Sequence, residues 1–149
     1  MSYDERNDLL TAYAATSAAL HALMDGAGAG AADHSPADGG WSIRHVIDHF
    51  ARAAEGTAKR LRHMVTEDRP DLVPFDDADD DPMPIDEAMR RFDAARAQEL
   101  AVLGAADDAG WDRIGVHPAH GPISIRDIVR HMSAHDLEHI GQIGRLLAG

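Results

Sequence analysis

The stretch HMSAHDLEHIGQIGRLL, residues 131–147, decides how the chain folds. Its apolar residues recur at helical spacing, yet His131, His135 and His139 stand four residues apart inside the same pattern. At about 100° per residue, with His135 at zero, His139 and His131 lie about 40° to either side. Ile128, Met132, Ile143 and Leu146 then fall between about 20° and 80°, and Val129, Ile140 and Leu147 between about 120° and 140°. The apolar stripe is centred on the His139 side. His139 lies within it, His135 at its edge, and His131 furthest out. Asp136, at about 100°, points into the stripe, whereas Glu138 turns outward.

Upstream, three more segments carry helical spacing and none shows sustained alternation. Residues 4–25 bring Leu9, Leu10, Tyr13, Leu20 and Leu23 to one side, and a Gly/Ala/Pro-rich loop follows. Ser42 caps a second helix bearing Ile43, Val46, Ile47, Phe50, Leu61 and Met64. The acidic stretch FDDADDDPMP, residues 75–84, reads as a solvated loop. A third helix over 85–106 carries Met89, Phe92, Leu100 and Leu103. A connection containing Trp111, His117, Pro118 and Gly121 leads to Ser124, which opens S-I-R-D, a capping box with Asp127. Four helices of this length, joined by long connections, predict an all-α four-helix bundle forming one domain over residues 1–149.

Helix two supplies a further histidine. With His49 at zero, Val46, Phe50, Ala53, Leu61 and Met64 lie between about 40° and 120°, and His45 lies about 40° further toward solvent. Geometry thus selects His49, His135 and His139. Two imidazoles one turn apart and a third from a facing helix can hold one divalent transition metal, such as zinc, nickel or iron, with positions left open. The plainer alternative is that these are histidines at the core edge, hydrogen-bonded to neighbours. His21, His34, His63, His117 and His120 read as surface residues.

Composition narrows the chemistry. The chain has no cysteine, so disulfides and thiolate metal sites are excluded and any metal rests on histidine and carboxylate. A net charge of −12 argues against nucleic acid or an anionic membrane as partner. No apolar run reaches membrane-spanning length, and MSYDERNDLL lacks the layout of a secretory signal, so a cytoplasmic protein is expected.

WSIRHVIDHF (41–50), together with WDRIGVHPAHGPISIRDIVRHMSAHDLEHIGQIGRLL (111–147), resembles the DinB/YfiT-like superfamily of metal-binding four-helix bundles. The resemblance implies a long crossover between helices two and three. It places the family's metal ligands on His49, His135 and His139, with Gln142 and the terminal leucines also matching, and Trp41 at the pocket mouth. A hydrophobic staple at the helix start is the plainer account of Trp41. Several members are transferases using a low-molecular-weight thiol such as mycothiol, bacillithiol or glutathione, and others look like hydrolases. The expected activity is therefore metal-dependent thiol transfer to a small electrophile. Hydrolysis by metal-activated water, or a non-catalytic stress-related role as a dimerising protein, is the alternative. Either enzyme would act on a small-molecule substrate, and a homodimer is expected. Asp136 reads as an acceptor orienting a ligand imidazole, as a base for bound water, or as the partner of an arginine such as Arg44 or Arg113. Arg113 is also placed at the pocket rim. H-D-L-E-H is too far from H-E-x-x-H, with an aspartate for glutamate and the third ligand upstream, to read as a protease.

Overall fold

The computed structural model describes residues 3–28, 30–75 and 81–149. Residues 76–80 of the acidic run, read from the sequence as a solvated loop, lie outside the described residues. Four long helices form the bundle: α1 (Tyr3–Ala27), α2 (Ile43–Thr66), α3 (Ile85–Ala105) and α5 (Ile125–Ala148). A one-turn helix, α4 (Asp108–Trp111), and two strands, β1 (Ile114–His117) and β2 (Gly121–Ser124), lie between α3 and α5.

The helix starts follow their local chemistry. The Ser42 hydroxyl accepts the His45 amide at 3.2 Å, satisfying one of the donors a helix start leaves open. At α5 the box closes both ways: Asp127 N–H donates to Ser124 Oγ at 3.0 Å, and Ser124 N–H donates to Asp127 Oδ2 at 3.1 Å. Hydrogen bonds from the Ser124 backbone N–H and hydroxyl hold the Asp127 carboxyl below its ordinary range.

Side-chain pairs reveal the direction of each helix. Met83 N–H donates to Asp48, Arg91 to Glu55 and Arg62 to Gln98, always with partners 35 or 36 residues apart, so α2 and α3 run parallel. Pairs of α1 with the α3 end of the chain run the other way: Arg6 with the Ala106 carbonyl, Tyr13 with Glu99, His21 with Asp93. Helix α5 follows α1, through Arg130 with Glu5 and Thr16 with Asp136. The order is up, down, down, up. The chain between α2 and α3 must therefore travel the length of the bundle, which is the expected crossover.

The connection before α5 departs from the expectation of a plain loop. β1 and β2 pair antiparallel from Ile114 opposite Ser124 to His117 opposite Gly121. The start of the crossover joins them, with Leu72 N–H donating to the Val116 carbonyl and Val116 N–H to the Pro70 carbonyl, both at 2.8 Å. Gly115 makes this approach possible, since a Cβ there would meet Leu72 Cδ2 at 2.8 Å. Strands of four residues are too short to display an alternating pattern, so the hairpin left no periodic signal.

Two apolar clusters fill the bundle. One, around Leu20, Ile47, Phe50, Phe92 and Ile143, lies beneath the start of α2. The other, around Tyr13, Leu61, Leu103, Trp111 and Ile125, lies toward its end. Trp111 is wholly buried and donates its indole N–H to the Leu103 carbonyl at 3.2 Å, as a buried indole requires. No helix among the described residues is long and apolar enough to cross a membrane.

Candidate metal centre

His49 is on the second turn of α2, facing the middle of α5. One ligand nitrogen from each of His49, His135 and His139 lies within 4.8 Å of the others. His49 Nε2 and His135 Nε2 are only 2.7 Å apart. Metal–imidazole bonds of about 2.0–2.1 Å in a tetrahedron separate the donor nitrogens by roughly 3.3 Å, within the span of this cluster. Three imidazole nitrogens this close are a donor set that fits a divalent transition metal. Among the described residues no fourth histidine or carboxylate joins the group, so coordination positions would be left for water or substrate.

The two histidines of α5 have their far nitrogens occupied. His139 Nδ1 lies 2.8 Å from Gln142 Oε1, and His135 Nδ1 lies 3.3 Å from Asp136 Oδ1. Oxygen acceptors require Nδ1 to carry the proton, which leaves the Nε2 lone pairs facing the cluster. Trp41, 40% exposed, rests over the imidazoles, its ring 5.2 Å from that of His49 and 6.4 Å from that of His139. Trp41 thus packs against the ligand rings, a contact that a staple at the helix start does not require. Phe50 forms the floor, its ring 5.9 Å from His139 and edge-on to Phe92. The face assignment also holds for the excluded pair: His131 is exposed, and His45 turns to the Ser42 hydroxyl at 2.7 Å.

Asp136 is 1% exposed and sits behind His135, away from the open side of the cluster. That is the geometry of an orienting acceptor. Its arginine partner is neither Arg44, which approaches Asp33 at the surface, nor Arg113. It is Arg96, whose Nη2 donates to Asp136 Oδ2 at 2.6 Å. Arg96 Nε donates to Glu99 at 2.6 Å and Nη1 to the Tyr13 carbonyl and Thr16 hydroxyl at 3.0 and 3.1 Å, and its guanidinium lies 3.8 Å from the Tyr13 ring centroid. Tyr13 O–H donates to Glu99 at 3.0 Å. Two buried acids thus share one buried cation. Burial pushes the Glu99 carboxyl up to about 7 against the pull of Arg96. Glu99 is thus the acid of this network that holds a proton up to about neutral pH.

Helix three carried the signal for this network. Arg96 and Glu99 fall within about 40° of Phe92 on a helical wheel, on the same face as Leu103, so the polar pair interrupts a buried stripe. Arg113 requires correction. Its guanidinium donates to the Met64 and Glu67 carbonyls at the C-terminal end of α2. Met64 is fifteen residues beyond His49, about 22 Å along the helix axis, so Arg113 ties the hairpin to α2 and is not at the rim of the cluster.

Bundle, direction and ligand cluster together define a class. The family model described as the DinB superfamily matches residues 12–143, and the chain belongs to that superfamily. A "Putative metal-dependent hydrolase" of Oceanobacillus iheyensis is 28% identical over 119 residues, covering 76% of this chain and 69% of the relative. One of the same name from Geobacillus kaustophilus is 28% identical over 117 residues, covering 73% and 65%. The aligned region is about two thirds of the length of these relatives. Among solved structures, YfiT from Bacillus subtilis, described as "a probable metal-dependent hydrolase with an unusual four-helix bundle topology", has a TM-score of 0.85 at 20% identity and covers 98% of this chain and 87% of its own. TT2238, a four-helix bundle protein, has a TM-score of 0.69 at 22% identity, covering 94% and 98%. Both likenesses are likenesses of fold.

Proposed function

We propose that the chain is a metal-dependent hydrolase of a small molecule, with one divalent transition metal held by His49, His135 and His139. The convergence of the three imidazoles from α2 and α5 carries this reading. The names of the Oceanobacillus and Geobacillus relatives support the hydrolytic branch. Bound there, a divalent metal supplies a Lewis acid that brings the pKa of water toward neutrality. The chain's own residues do the rest. Gln142 and Asp136 fix the Nδ1 protons, so the lone pairs face the cluster. Three neutral ligands leave the ion's double charge undiminished. Phe50 and Trp41 give apolar flanks on the floor and at the mouth, suited to a small, partly apolar substrate. Thiol transfer to a small electrophile uses the same three ligands, and the experiment below separates it from hydrolysis.

Protein purified without a histidine tag should hold about one transition-metal ion per chain by elemental analysis, and His49→Ala should lower that below about a tenth. Retention of metal in His49→Ala overturns the ligand assignment. The loaded protein is then offered model esters and amides, and separately thiols with a conjugation substrate. Metal-dependent hydrolysis supports the proposal. A sulfur-to-metal absorption band in the cobalt-loaded protein with thiol turnover, and no hydrolysis, replaces it with the transferase reading.

A further inference from the structure

The other side of α2 faces α3 across a groove of about 470 Å³, whose third wall is Val73, Pro74 and Phe75 of the crossover. Five of the chain's fourteen lysines and arginines line it: Arg52, Lys59, Arg60, Arg62 and Arg91, against the single carboxylate of Glu55. In a chain of net charge −12 this concentration runs against the overall sign. Four of the five are on one helix, where closely spaced like charges repel.

Carboxylates among the described residues pair with only part of the cluster. Arg91 reaches Glu55 at 2.8 Å, and Arg52 reaches Asp48 at 2.8 Å. Arg60 and Arg62 are left with neutral groups. Arg60 donates from Nε and Nη2 to the Val73 carbonyl at 3.1 and 2.9 Å, and Arg62 to Gln98 at 2.6 Å. Among the described residues neither these arginines nor Lys59 forms an ion pair with a carboxylate.

The groove is also built. A Cβ at Gly56 would lie 2.3 Å from Phe75 Cδ1, so only glycine lets that ring rest on α2. Arg60 lies over the same ring, its guanidinium carbon 4.0 Å from the centroid, and is 9% exposed. One cation is therefore fixed in place by backbone and ring, and beside it lie the exposed Lys59 and an exposed Arg62 whose partner is the neutral Gln98 amide.

We propose that this groove binds a small polyanion, a molecule carrying two or more phosphate or carboxylate groups, through Lys59, Arg60 and Arg62, with any apolar part against Phe75. The volume lies within the range of small-molecule sites. Guanidinium and ammonium groups are the donors that such oxyanions select. The inference does not depend on the metal reading.

The test is calorimetric titration of the full chain at low salt with tripolyphosphate and with citrate, repeated on Lys59→Gln/Arg62→Gln. Saturable one-to-one binding of at least one probe is expected, weakened at least about tenfold in the double variant and by added salt. The preferred probe distinguishes phosphate from carboxylate chemistry. No saturable binding of either overturns the proposal. So does binding unchanged in the double variant, as chelation at the imidazole cluster would give. A third chain carries asparagine for Asp76, Asp77, Asp79, Asp80 and Asp81. Binding seen only in that chain also overturns the proposal, because the cations would then serve the chain's own acidic run.

Discussion

His135 and His139 stand one turn apart on α5 and face the same point, yet they are held by unlike supports. His139 rests on Gln142, a neutral amide on its own helix. His135 rests on Asp136, whose other oxygen is held from α3 by Arg96 and from α1 by Thr16. One ligand is oriented locally. The other depends on three helices being in register. The difference means that the metal site and the stability of the bundle share one buried ionic network on the His135 side and are separate on the His139 side.

The largest effect expected from this asymmetry is on folding. Arg96→Met leaves Asp136 and Glu99 buried without their cation and should destabilise the protein by about 3–5 kcal/mol in urea unfolding. Gln142→Ala should change stability by less than about 1 kcal/mol. Equal losses in the two variants would erase the contrast.

Next comes pH. Glu99 titrates near 7 when folded and near 4.5 when unfolded, so between those values the folded state keeps a proton that the unfolded state loses. Its contribution to stability is full below about 4.5 and fades as pH rises through 7, by up to about 3 kcal/mol. Subtracting the stability profile of Glu99→Gln from that of the parent chain isolates this contribution. A flat difference profile would show that the acid is not carrying the network's proton.

Metal affinity ranks third. Asp136→Asn should weaken binding about 10- to 100-fold, as loss of a ligand's oriented partner does, and more than Gln142→Ala. Competition with a chromophoric chelator measures both. A larger loss in the glutamine variant would reverse the ranking of the two supports. Smallest of all, Trp41→Ala should leave metal content unchanged and stability within about 1 kcal/mol, because the ring is 40% exposed. Its effect is expected on the KM of whatever substrate is turned over.

Much of this was legible in one dimension. The four-residue spacing of His135 and His139, the outward turn of His131 and the inward turn of Asp136 all follow from 3.6 residues per turn. The caps at Ser42 and Ser124 follow from side chains placed next to the donors they satisfy. The hairpin was not legible, since its strands are short and it is completed by the start of the crossover. Placing Arg113 at the pocket rim failed because nothing in its neighbourhood tells which end of α2 it meets.

The sequence alone determined which side chains share a face, because helical periodicity is a local property carried by neighbours three and four residues apart. Only the tertiary structure decided which faces meet. His49 reaches His135 across 86 residues and Arg96 reaches Asp136 across 40, and both pairings depend on the up, down, down, up order of the helices. That order comes from packing the whole chain, where each helix offers its apolar stripe to several candidate neighbours and the arrangement adopted also pairs Arg96 with its two acids.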